Sequence, residues 1–239
     1  MPPRALRPVG IALVDKPAGP SSFALVAGLR RRTGARTGHT GTLDPFATGL
    51  LMLLSGAATR LAPCFVGLDK RYVTDIDLTR TTTTGDPEGD VVDEHEPLAG
   101  DELEAALASL RGEVELPIPV ASAVKIDGER AYRLARRGVA VEMPLRRSLV
   151  HSLEVMESHP DSVKLALHVS SGTYVRSIAE ALGGHCTTLR RTTIGPFGVD
   201  EAADALVPVH LALERLPADA LERVPVTIRA SVLALEDAA

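Results

Sequence analysis

The feature that most constrains the fold is a strict two-residue alternation near the middle of the chain. Val163, Leu165, Leu167 and Val169 alternate with Lys164, Ala166, His168 and Ser170. Only an extended strand puts every second side chain on one face, so this segment is a strand with one buried side. Tyr72, Thr74, Ile76 and Leu78 alternate in the same way with Arg71, Val73, Asp75 and Asp77. A shorter β-rich run, Val9 to Val14, ends in the turn signal Lys16-Pro17-Ala18-Gly19-Pro20.

Helical signals stand between these strands. Ser21 or Ser22 caps a helix to about Arg32, with Val26 and Leu29 inward and arginines at its end, where they suit the dipole. Thr81 to Asp90 reads as a loop. Asp101 with Glu104 resembles a capping box ahead of the stripe Leu103, Ala106, Leu107 and Leu110. Pro117 and Pro119 break that pattern. Further helices are expected from Glu129 to Arg137, stopped by Gly138, and from Tyr174 to Leu182, closed by Gly183 and Gly184. After Pro208 the chain reads as helical to about Glu222, and Val226 to Leu235 as strand-like. Strands and helices do not alternate regularly, which predicts an α+β fold rather than a doubly wound one.

The chain has 239 residues, enough for a sizeable core. No apolar run approaches the roughly 20 residues of a membrane span, and Val9 to Val14 is too short for a signal peptide. A soluble, non-exported, cytoplasmic protein is expected. Cys64 and Cys186 form no CxxC pair and are read as inert thiols, which leaves no zinc cluster. The net charge of −5 argues against nucleic-acid binding only as an average. From Asp200 onward lie 8 of the 31 acids and 3 of the 26 lysines and arginines, leaving 23 of each before it. The basic residues are clustered: Arg30, Arg31, Arg32 and Arg36; Arg130, Arg133, Arg136 and Arg137; Arg190 and Arg191. Clustering, rather than net charge, makes an electrostatic footprint for RNA.

Residues 38 to 50 carry the chemistry: Gly38-His39-Thr40-Gly41-Thr42-Leu43-Asp44-Pro45-Phe46-Ala47-Thr48-Gly49-Leu50. Glycines punctuate four polar side chains, and an apolar helix or strand, Leu50 to Leu54, follows. A lone Asp-Pro is ordinarily a turn. Here the proline also keeps Asp44 out of helical geometry and holds the carboxylate in one orientation, as a nucleophile requires. The order Thr-Leu-Asp is not the Asp-Thr-Gly of aspartic proteases, and the spacing is not that of a P-loop.

This segment closely resembles the catalytic motif of the TruB family of tRNA pseudouridine synthases. Four other blocks match in the family's order: Asp15 to Ser22; Asp69-Lys70-Arg71-Tyr72; Ser170 to Ser177, including Arg176; and Leu189-Arg190-Arg191-Thr192 with Gly195 and Phe197. The resemblance covers about residues 9 to 215. It implies the pseudouridine synthase fold, a mixed, mostly antiparallel central sheet flanked by helices around an RNA-binding cleft. It implies a catalytic domain over 1–215 and a short extension over 216–239, with no room for a C-terminal RNA-binding PUA domain. The segment before Lys125, Pro119-Val120-Ala121-Ser122-Ala123-Val124, lacks the aromatic residue found there in many members.

The resemblance also implies roles. Asp44 is the expected nucleophile, attacking the uracil ring or the anomeric carbon, with a glycal route also open. Arg176 pairs with it, and Tyr72 stacks on the base. His39 contacts the RNA loop, Leu189 walls the pocket, and Thr42, Lys16 and Lys70 complete the substrate contacts. The expected substrate is uridine 55 in the T loop of tRNA, flipped out of its stack, with the arginines around 30 to 36 and 130 to 137 gripping the T stem. The reaction consumes no external group, so no cofactor or metal is expected, and a monomer needing no protein partner suffices. Other readings are a T-arm-binding folding helper, the relative that works on a guide-RNA particle, and an inactive paralogue. Intact Asp44, Tyr72 and Arg176 argue against the last.

Overall fold

The computed structural model describes residues 8–122, 124–126, 128–131, 133, 137 and 142–238. They fall into two compact units, Met1–Arg71 with Arg190–Ala239, and Tyr72–Leu189. In chain order the first unit begins with β1 (Gly10–Lys16), α1 (Ser22–Thr33), β2 (Thr37–His39), β3 (Thr48–Ser55), a 3-10 turn (Gly56–Leu61) and α2 (Ala62–Val66). The chain leaves it at the start of β4 (Lys70–Asp77). The second unit adds β5 (Arg80–Thr82), β6 (Val91–Glu94), α3 (Gly100–Ser109), β7 (Gly112–Pro117), β8 (Lys125–Ile126), β9 (Glu129–Arg130), β10 (Leu145–Ser158), β11 (Ser162–Val169) and α4 (Val175–Ala181). The chain returns along β12 (His185–Ile194), and β13 (Phe197–Gly198), α5 (Val209–Glu214), α6 (Ala218–Glu222) and α7 (Val226–Asp237) complete the first unit.

In the first unit β3 is central. Antiparallel β1 runs along one edge, from Gly10 opposite Ser55 to Lys16 opposite Gly49. The other edge takes antiparallel β2 at Leu53 to Ser55 and, in parallel, the end of β12 at Thr48 and Gly49. A strand covered on both faces has no polar side to show, which is why Leu50 to Leu54 is an unbroken apolar run. The core joins Ile11, Leu13, Leu50, Met52 and Leu54 to Phe65, Phe197, Val209, Leu213 and Val232. Each such side chain contributes about 1.5–3 kcal/mol by leaving water.

In the second unit the strand order is β12, β4, β11, β10, β7, with β10 antiparallel to both β11 and β7. The alternation along β11 is realised residue for residue: Val163, Leu165, Leu167 and Val169 are buried, with partly exposed residues between them. Along β4, Tyr72, Thr74 and Ile76 are buried in the same manner. The mixed sheets, mostly antiparallel, and the irregular helix order bear out the α+β class. Among the described residues no helix is long and apolar enough to cross a membrane.

Helix α1 follows its signals. The Ser21 hydroxyl accepts from the Ala24 amide, Arg30 to Arg32 fill the last turn, and Gly34 closes it in the left-handed conformation. Several sequence readings are corrected. Val226–Asp237 is a helix, not a strand: Pro225 starts it, and Ile228 and Val232, four residues apart, turn to the core. Local β-branched preference yields there to tertiary packing. The N-cap of α3 is Ala99, with no side-chain bond, so Asp101 and Glu104 form no capping box. Part of the expected 81–90 loop is strand, since Arg80–Thr82 pairs with Val91–Glu94 as a hairpin. Glu129 and Arg130 pair with Ile126 and Lys125 in a second hairpin. The helix expected from Glu129 to Arg137 thus begins as strand, and residues 132 and 134–136 of it, with Gly138, lie outside the described residues.

Candidate active site

Asp44 sits in the loop from Thr40 to Ala47 that joins β2 to β3, and it is half-buried. Four groups of the first unit hold the loop's backbone. Upstream, the terminal nitrogens of buried Arg191 donate to the carbonyls of Gly41 at 3.0 Å and Thr42 at 3.4 Å, while its Nε anchors it to the Leu50 carbonyl of β3 at 2.7 Å. Next to Asp44, the Ser22 hydroxyl donates to the Leu43 carbonyl and accepts from the Leu43 amide, both at 2.8 Å. Downstream, the Lys16 ammonium donates to the carbonyls of Pro17 at 3.0 Å, Pro45 at 3.0 Å and Ala47 at 2.6 Å. The Gly19 amide also donates to the Pro45 carbonyl, and the Ala47 amide to that of Asp44, which closes a turn over Pro45.

Lys16 was expected among the substrate contacts. Its side chain is 0% exposed, with the ammonium turned onto the loop's own carbonyls, so it acts as a strut for the backbone on either side of Pro45. A buried ammonium requires such partners. Lys70, expected there too, is likewise buried and donates to the carbonyls of Val66 and Leu68, at the end of α2. Burial pushes its pKa down to about 8, helped by Arg191 and Arg223 and opposed by Asp69. The unfolded chain keeps the Lys70 proton up to its ordinary 10.5, whereas the folded chain sheds it near 8. Between those values the unfolded state binds more protons, so raising the pH favours the native state. Urea titrations between pH 8 and 10.5 test this: wild type gains stability relative to Lys70→Met as pH rises. A constant difference would contradict it.

His39, at the end of β2, is half-buried, and its ring stands at 82° to that of Phe23 with centroids 5.2 Å apart. Its Nδ1 accepts from the Gly41 amide. Burial lowers its pKa and the Arg191 charge lowers it further, so it is neutral at pH 7. Thr42 is exposed. The pair Arg190 and Arg191 is not the surface cluster expected. Arg191 is buried in the loop, and Arg190 forms a two-pronged ion pair with Asp15, at 3.0 and 2.7 Å.

Tyr72, Arg176 and Leu189 lie in the second unit. Tyr72 is buried on β4 and Leu189 on β12. Arg176, in the first turn of α4, is 3% exposed. It donates to the carbonyls of Thr84 at 2.6 Å and Ala121 at 3.0 Å, and it lies 3.4 Å from Asp86. Asp86 was not singled out from the sequence. Its other oxygen accepts from the Thr84 hydroxyl and the Glu88 amide, and its own amide and carbonyl both bond the Thr82 hydroxyl. The Asp86 carboxylate thus orders the 82–90 loop around the arginine. Removing one member of a buried ion pair strands the other, so Asp86→Ala should cost about 3 kcal/mol. An unchanged urea midpoint would show that the pair holds nothing together.

Comparison with known proteins follows the same lines. Residues 30–175 match the model of the TruB family pseudouridylate synthase N-terminal domain. The chain is 44% identical over 218 residues to the tRNA pseudouridine synthase B of Aromatoleum aromaticum, covering 88% of this chain and 69% of that protein. It is 45% identical over 208 residues to the synthase of the same name from Mycobacterium sp. strain KMS, covering 81% and 69%. A solved Cbf5–Nop10–Gar1 complex contains a similar chain, with a TM-score of 0.61 and 29% identity over 80% of this chain. This chain spans 50% of that one. With more than half its length matching the family model and such identity to full relatives, the chain belongs to the TruB family of pseudouridylate synthases.

Proposed function

We propose that the protein converts uridine 55 in the T loop of tRNA to pseudouridine, with Asp44 as the nucleophile. The bond from the ribose anomeric carbon to N1 breaks, and a bond from that carbon to C5 forms. C5 gives up its proton and N1 gains one, so no atom is added and no cofactor or metal is needed. Three routes begin at this carboxylate: attack on the ring, attack on the anomeric carbon, or removal of a 2′ proton to give a glycal. The target base leaves its stack at a cost of a few kcal/mol, which contacts to the extruded base and to phosphates offset. Arg176 keeps the nucleophile ionised and oriented, Tyr72 stacks on the base, Leu189 walls its pocket, and His39 and Thr42 meet the RNA loop.

The observation that carries this reading is the fixing of the Asp44 backbone on both sides by Lys16, Ser22 and Arg191. A nucleophile held in place before substrate arrives avoids the entropy of ordering it later. Residues 1–215 form the catalytic domain, and 216–239 an extension whose Ala220, Val224 and Val232 pack into the first unit's core. The protein works as a cytoplasmic monomer without an obligatory protein partner. The deciding experiment is pseudouridine mapping of unmodified tRNA after treatment with the purified protein. A single new pseudouridine in the T loop is expected, and unmodified tRNA at every position would sink the proposal.

A further inference from the structure

We propose that Phe23 is a nucleobase-stacking residue, whose exposed ring, braced at right angles by His39, receives an unstacked base of the RNA substrate beside the Asp44 loop. The inference rests on the RNA-modifying function proposed above. Phe23 is 65% exposed, and among the described residues it is the one phenylalanine or tyrosine that is exposed. Phe65 and Phe197 are sealed in the core, Tyr72 is buried, and Phe46 and Tyr174 are half-buried.

A lone exposed ring on a soluble protein is ordinary. This one is set apart by its support. It stands in the first turn of α1, which Ser21 caps. The preceding residue, Ser22, is bonded twice to Leu43, the residue before Asp44, so the ring's backbone and the nucleophile's are tied through one hydroxyl. The perpendicular contact with His39 fixes the ring's direction and leaves a corner of two aromatic walls. Because His39 is kept neutral by burial and by Arg191, that corner presents π faces rather than a charge.

The surrounding charge selects the occupant. Arg30 lies seven residues along α1, hence on the face of Phe23 and about 10 Å further along the axis. Arg30, Arg31 and Arg32 are all exposed. An aromatic platform with cations at that reach suits a base splayed from a loop, with its phosphates running toward the arginines. An apolar protein partner would find no reason for the arginines.

The chain contains no tryptophan, so Phe23→Trp introduces a single indole as a reporter. Titration with a T-arm RNA hairpin should quench its emission strongly and saturably, at the concentration where filter binding reports the complex. A blunt RNA duplex of equal length should leave it bright. Phe23→Ala should raise the hairpin Kd and the KM about tenfold, the worth of one stacked base, with a much smaller change in kcat. Phe23→Tyr should recover most of that loss. Bright emission from a hairpin-bound Trp variant, or an unchanged Kd for Phe23→Ala, would overturn the proposal while leaving the synthase reading intact. Wild-type protein that neither binds the hairpin nor forms pseudouridine would sink both.

Discussion

Asp44→Asn should abolish pseudouridine formation, lowering single-turnover rates by at least about a thousandfold, as loss of a covalent nucleophile does elsewhere. The substitution keeps the shape of the side chain. The contacts that fix the loop are made by main-chain atoms of its neighbours, Leu43, Pro45 and Ala47, which the change does not touch. The variant should therefore stay folded, with a wild-type circular dichroism spectrum. Measuring tRNA affinity alongside turnover separates the competing readings. Lost turnover with retained binding assigns the carboxylate to chemistry. Retained tRNA refolding by the same variant would reveal a second, folding-helper role. Turnover within a few fold of wild type would end the assignment of Asp44.

The second large effect is structural. Gly49 begins the passage from the active loop into β3 with φ of +99°, and a Cβ there would stand 2.2 Å from the Arg191 backbone oxygen. That neighbour is main chain held in the parallel pairing of β12 with β3, so it cannot step aside as a side-chain tip could. Gly49→Ala combines a conformation that L residues rarely adopt with overpacking against a strand, for a total cost of about 3–5 kcal/mol. For a chain of this size that corresponds to a fall in melting temperature of roughly 10 °C. The same shift would displace Arg191 from Gly41 and Thr42, so activity at permissive temperature should fall too. A soluble variant melting with wild type would contradict the geometry.

Much of the scaffold was legible because its signals are local. Period-two alternation marks β4 and β11, and Ser21 with the terminal arginines marks α1. Helix α7 was misread because Val226-Thr227-Ile228 favours strand on its own, and only the core waiting for Ile228 and Val232 decides otherwise. At the site, the Gly- and Pro-rich segment and its family resemblance pointed to Asp44. They could not disclose that Lys16, Lys70 and Arg191 are buried. Such side chains normally face water, and here their acceptors are carbonyls, which every residue possesses and no sequence pattern advertises. Asp86 escaped for a related reason: an acid in a polar loop looks solvated until the helix bearing Arg176 is brought to it.

Holding a loop by its carbonyls has an evolutionary consequence. Lys16 grips Pro45 and Ala47, and Ser22 grips Leu43, without reference to what those residues carry as side chains. Neighbours of Asp44 are thereby free to drift, Phe46 among them, while the course of the peptide stays the same. Mutational tolerance along this stretch should track contact with RNA rather than the needs of folding.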